Sequence, residues 1–258
     1  MSINKQLYLW RDYMKIRKST KSRIYTSIVL IILISLVILN KKYEYINCGM
    51  KRNHDEKSEK HYQGIRDRIV MLEKKEPKDD LTKQRLAEQY NVIGLHYLDK
   101  QMFDLAMESF NNSIKYGNNK ADIFYSLGLA YAGRSVEKKS SEDIKLAEHN
   151  YRRAVSINGR LHDAKYALAI LLFYHKDNGQ DEAVKLINDI LSNNMAHYPA
   201  RFASARFQYE LGNKKEALSI YQRLSADIDK MPASGISKNF KTQCNDNIQR
   251  IKSELSQE

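Results

Sequence analysis

Histidine, cysteine and closely spaced carboxylates are the side chains from which this chain could assemble a catalytic or metal centre. The seven histidines are His54, His61, His96, His149, His162, His175 and His197, and no two lie three or four residues apart. That spacing is what puts two imidazoles on one face of a helix, and a metal needs at least two convergent ligands. Packing or solvated histidines are the expectation. The two cysteines, Cys48 and Cys244, lie far apart in the chain, so no CxxC zinc or redox pair and no disulfide framework exists. The sequence contains no GxSxG elbow, no P-loop and no GxGxxG followed by an acidic residue. Acidic residues are dispersed and mostly adjacent to lysines, as on a solvated helix face. The expectation is a protein that is not an enzyme and binds no cofactor and no metal.

What, then, must these elements position? With 258 residues, three prolines and ten glycines, the chain is too poor in turn formers for a β-sandwich and too ordered in composition for a disordered polymer. An all-α chain is expected. The net charge of +12 is unevenly placed: residues 1–42 hold nine Lys/Arg against the single acid Asp12, while the rest holds 34 basic and 30 acidic groups. A nucleic-acid partner, which needs a basic face on the folded part, is not expected.

The basic stretch surrounds Ile24–Leu39, sixteen residues without a charge, interrupted only by Tyr25, Thr26, Ser27 and Ser35. As a helix it extends about 24 Å, slightly less than the roughly 30 Å hydrocarbon core of a bilayer. Lys21, Arg23, Lys41 and Lys42 can snorkel across the difference, with Tyr25 and Tyr43 near headgroup level. A core helix would show a polar stripe, and a cleaved signal would show small residues where Asn40-Lys41-Lys42-Tyr43 stands. A transmembrane helix over 24–40 is therefore expected, contacting the lipid bilayer. Seven Lys/Arg precede it and four follow closely, which favours a cytoplasmic segment 1–23 and an exported remainder.

Beyond residue 85 the sequence repeats itself. Ala106, Phe110 and Ser113 are followed by Ala147, Tyr151 and Ala154, by Ala183, Ile187 and Ile190, and by Ala217, Tyr221 and Leu224. The alanines are 41, 36 and 34 residues apart. Upstream, Tyr90, Ile93, Gly94 and Tyr97 recur 34 residues later as Phe124, Leu127, Gly128 and Tyr131, with Leu168, Ala169 and Leu172 in the third unit. Residues at i, i+3 and i+7 share one helix face. Glycine or alanine at its centre lets a partner helix approach, and a ring fills the remaining space at interior density. A single hairpin cannot bury its face alone, so neighbours must stack.

These residues resemble the tetratricopeptide repeat (TPR) family, on the 34-residue period, the aromatic-x2-aliphatic-Gly-x2-Tyr run and the later Ala-x3-aromatic run. The units read Ala87–Lys120, Ala121–Leu161, His162–His197 and Tyr198–Met231. The second carries seven extra residues, expected as a loop around Ser135–Asp143, and the third carries two around Lys176–Gln180. The resemblance implies a TPR-like α-solenoid of four hairpins over 85–231. Ahead of it a linker over 41–84 holds an amphipathic helix at 57–76, with Tyr62, Ile65, Ile69 and Leu72 on one face, as a stalk, a packing helix or a short coiled coil. After it, 232–258 forms a capping helix whose stripe is Ile236, Phe240, Cys244, Ile248, Ile251 and Leu255.

By the resemblance, the first helix of each hairpin lines a protein-binding groove. Its residues here are Asn91, Leu95, Leu98, Tyr125, Leu129, Tyr166, Ile170 and Phe173. Domains of the family that grip a terminal carboxylate place Lys, Asn and Arg at positions that here carry Asn91, Leu95, Ser126, Asp163 and Ala167, so that clamp is not expected. The expected role is a membrane-anchored TPR scaffold or adaptor in an exported, periplasmic assembly such as a secretion, pilus or flagellar-motor structure, with protein partners at the inner membrane and self-association as an option. A periplasmic chaperone-like module binding apolar clients, and a topology that keeps the repeats cytoplasmic, are the alternatives.

Overall fold

The computed structural model describes residues 54–257, and every regular element among them is helical. The transmembrane segment expected over 24–40, and Cys48, lie outside the described residues. No helix among those described is long and apolar enough to cross a membrane.

The ten helices among the described residues fall into two compact units, divided after Ile157. The first unit contains α1 (His54–Glu73), α2 (Asp80–Asp99), α3 (Phe103–Lys115), α4 (Ala121–Lys138) and α5 (Ser141–Ile157). The second contains α6 (His162–His175), α7 (Gln180–Asn193), α8 (Tyr198–Glu210), α9 (Lys214–Ile228) and α10 (Gly235–Leu255). The pairs α2/α3, α4/α5, α6/α7 and α8/α9 are hairpins, and within each unit the second helix of one hairpin packs on the first helix of the next.

The repeat signature is the packing code of these hairpins. Ala106, Ala147, Ala183 and Ala217 are each fully buried. A Cβ at Gly94 would lie 2.7 Å from the Phe110 ring, and one at Gly128 would lie 2.6 Å from the Tyr151 ring. The rings therefore sit on bare backbone, the small-against-large fit that sets the distance between paired helices. Between hairpins the same device recurs where the pattern did not mark it, with Phe103 against Gly133.

Several boundaries differ from the sequence reading. The first hairpin begins at Asp80 rather than Arg85, because Asp79 caps α2 by accepting the Thr82 backbone N–H at 2.7 Å. Hydrogen bonds from Thr82, then from Lys75, hold the Asp79 carboxyl down at about 2. The amphipathic helix expected over 57–76 occupies His54–Glu73 and ends a turn before Pro77. It is a packing helix: Ile65 and Ile69 are buried against Leu86 and Ile93 of α2. Its last residue, Glu73, accepts hydrogen bonds from Tyr90 at 3.0 Å and Tyr116 at 2.7 Å, whose rings stack 5.9 Å apart.

The loop expected at Ser135–Asp143 is not there. Helix α4 runs through Lys138, Lys139 turns with φ 53°, and α5 starts at Ser141 with the Ser140 hydroxyl accepting the Asp143 N–H. The extra residues lengthen both helices because Arg134–Lys138 contains neither glycine nor proline and gains long-range partners. Arg134 donates twice to Asp143, at 2.9 and 2.6 Å, and once to Asp104 of α3 at 2.8 Å, while Lys138 reaches Asp104 at 2.8 Å. These bonds push the Arg134 guanidinium up and the Asp104 carboxyl down from their ordinary values.

In the second unit, α10 closes the last hairpin. Cys244 and Ile251 are buried with Ala205, Tyr221, Leu224 and Ile228, and Phe240, Ile248 and Leu255 pack around them. Ser234 and Ser237 form a reciprocal capping box at the start of α10. Near its end, Glu254 accepts from Tyr209 at 2.7 Å and pairs with Lys214 at 3.3 Å.

Candidate functional site

The eight residues expected to line a groove are divided between the units. In the first, α2 supplies Asn91, Leu95 and Leu98, and α4 supplies Tyr125 and Leu129. Leu98 and Leu129 are buried, whereas Asn91, Leu95 and Tyr125 are partly exposed. Tyr125 lies 6.1 Å from Tyr151, the ring that covers Gly128. In the second unit α6 supplies Tyr166, Ile170 and Phe173. Ile170 and Phe173 are buried, and Phe173 stacks on Phe207 of α8 at 3.8 Å with the rings 3° from parallel. Phe173 is thus a core contact between hairpins. The members that offer surface are Asn91, Leu95, Tyr125 and Tyr166.

The positions of a carboxylate clamp hold no basic group. Ser126 is buried, Ala167 is partly exposed, and Asp163 lies 3.6 Å from His197 Nε2. His197 uses its other nitrogen, Nδ1, to accept the Ala200 N–H at 3.1 Å and so caps α8. His162 meets it edge-on at 6.1 Å, yet no three His, Cys, Asp or Glu among the described residues are placed to hold a metal.

The remaining titratable groups are shaped by burial. His96 is buried beneath Tyr62 at 3.6 Å between ring centroids, and desolvation lowers its pKa. His175 is pushed down to about 4 by burial alone. Burial raises the Cys244 thiol to about 11, which leaves it protonated and unreactive.

One polar feature of the second unit escaped the sequence reading. Tyr174 follows Phe173 on α6, and its hydroxyl is shielded from solvent and has no hydrogen-bond partner among the described residues. The Arg206 guanidinium of α8 lies 5.0 Å from the centre of the Tyr174 ring. The only signal in the sequence was the position of Arg206 directly after Ala205, the small residue of α8 that packs in the hairpin.

No protein-family model and no curated protein sequence matches the chain. Among solved structures, YrrB, described as a TPR protein with an unusual peptide-binding site, aligns at 21% identity and a TM-score of 0.51, covering 71% of this chain and 86% of its own. MamA aligns at 20% identity and a TM-score of 0.47, covering 67% of this chain and 92% of its own. At such identities the likeness concerns architecture. Successive antiparallel hairpins with a small residue under a ring give this chain the helical-hairpin fold of the tetratricopeptide-repeat kind.

Proposed function

We propose that the chain is a membrane-anchored adaptor that holds a protein partner beside the inner membrane, on its exported side, and performs no catalysis. The observation that carries the adaptor role is the pair of stacked hairpins in each unit, because stacked helical hairpins present open helix faces to partners. YrrB, which shares the fold, has a peptide-binding site. The partly exposed Asn91, Leu95 and Tyr125 in one unit, and Tyr166 in the other, are the residues assigned to partner contact.

The anchor is assigned to residues 24–40 on their uncharged Ile24–Leu39 run and its basic flanks. Assembly within an envelope machine, including self-association, is part of the same reading. Proximity labelling from an enzyme fused after Glu258, in native membranes, tests it directly. Labelling of a small, reproducible set of exported envelope proteins is the expected result. Labelling confined to cytoplasmic proteins overturns the topology, and a diffuse set of unfolded exported clients favours a chaperone-like module instead.

A further inference from the structure

Arginine laid on tyrosine recurs in this chain, twice with a bonded carboxylate and once, Arg250 over Tyr209, with the Asn247 side-chain oxygen as acceptor. Arg134 lies over Tyr131 and is bonded to Asp104 and Asp143. Arg201 lies over Tyr198 and is bonded to Asp227. Arg206 lies over Tyr174 in the same way, but no acid among the described residues pairs with it. Glu210, one turn further along α8, is exposed and acts on Tyr174 only through its field.

The Tyr174 hydroxyl has the matching deficit. Burial raises its pKa, so it stays a neutral O–H donor, and no acceptor among the described residues receives it. A guanidinium has five donors and no acceptor, so the two groups lack the same thing, one anionic acceptor. A carboxylate has two oxygens and can serve both at once. Around them stand the Phe173 and Phe207 rings, 3.8 Å apart, and the partly exposed Tyr166.

We propose that Arg206 and Tyr174 form an anchor for an acidic side chain of the protein partner, one carboxylate oxygen accepting from the guanidinium and the other from the phenol. The assignment rests on the adaptor reading above and specifies the partner's chemistry: a segment with Asp or Glu next to an apolar residue that can lie against Tyr166. The net basic charge of residues 1–42 is of the wrong sign to fill it. Occupancy goes with a shift of the Arg206 side chain, which among the described residues rests on the Tyr174 ring. This anchor uses the last two hairpins and differs in position from the clamp positions, where Ser126, Asp163 and Ala167 stand.

The test uses the full chain in detergent micelles on an array of synthetic decapeptides, each acidic peptide paired with its Asn/Gln counterpart. Acidic members should bind at least about tenfold more tightly than their amides, as expected for a charge-assisted pair. Arg206→Gln should abolish the preference, Arg206→Lys should keep part of it, and Tyr174→Phe should weaken it about threefold or more while melting no lower than the parent. Equal binding of acids and amides, an undiminished preference in Arg206→Gln at unchanged melting temperature, or no binding of any peptide overturns the anchor. So does complete competition by inorganic phosphate, which would mark a general anion site. The adaptor reading is judged separately, since it survives if Arg206→Gln retains the proximity-labelled neighbours of the parent chain.

Discussion

The ring of Tyr151 occupies the space that a side chain at Gly128 would need, with a Cβ there only 2.6 Å from the ring atoms. Both lie in the α4/α5 hairpin, and Tyr151 is 3% exposed, so the ring has little room to retreat. Gly128→Ala should destabilise the first unit by roughly 1–3 kcal/mol despite the better helix propensity of alanine. Adding Tyr151→Leu should recover part of the loss, so that urea denaturation of the four variants shows coupling between the sites. Additive losses would mean that the ring does not set the helix spacing.

Arg134 should matter far more than its surface position suggests. Asp143 is 3% exposed and receives both of its side-chain hydrogen bonds from Arg134, so Arg134→Ala strands a buried carboxylate. A loss of about 3 kcal/mol is expected. Asp104→Asn should cost under about 1 kcal/mol, since the Asp104 side chain is 61% exposed. Chemical denaturation that ranks the two equally would contradict this division.

The contact that fastens α1 to the first hairpin has a pH signature. Burial first, then the hydrogen bond to Glu73, raises Tyr116 from 10.0 to about 12, and Tyr90 moves in the same direction. The folded state holds the neutral phenols, so this contribution is complete below pH 10 and is lost as pH climbs through about 12. Hydrogen exchange of amides 59–73 should accelerate over that window ahead of α4 and α5. Glu73→Ala should produce faster exchange at neutral pH, by about 1–2 kcal/mol of local stability.

The second unit should weaken on mild acidification. His175 titrates near 4 when folded against 6.5 in its ordinary state, because burial disfavours the imidazolium. Its contribution is complete above pH 6.5 and disappears as pH falls towards about 4, a loss of about 3 kcal/mol at most. Thermal melts of His175→Gln should be nearly flat across that interval where the parent declines. A parallel decline in both would assign the effect to other groups, such as the Glu254 and Asp227 carboxyls, which hydrogen bonds from Tyr209 and Arg201 hold below their ordinary values.

How far the sequence could be read depended on the range of each interaction. Ala106, Ala147, Ala183 and Ala217 announced the hairpins because small-against-large pairing follows helix periodicity within one short segment. The lengthening of α4 was hidden because the repeat period treats extra residues as loop, while their partner Asp104 lies 30 residues from Arg134. The groove was legible only as a set of helix positions. Leu98 and Leu129 are buried where Leu95 and Tyr125 are not, and Phe173 meets Phe207 of the next hairpin, contacts that no local pattern encodes. Arg206 and Tyr174 were missed for the same reason, since each looks ordinary until the other is placed beside it.

The docking of α1 through Glu73 also limits reach. Fully stretched, the residues from 41 to 53 can cover no more than about 45 Å. With 24–40 embedded as proposed, α1 starts within that distance of the lipid, and it is fixed to the first hairpin instead of swinging as a free tether. Under that proposal, whatever the first hairpin holds stays within a bounded distance of the lipid, set by covalent length and not by diffusion.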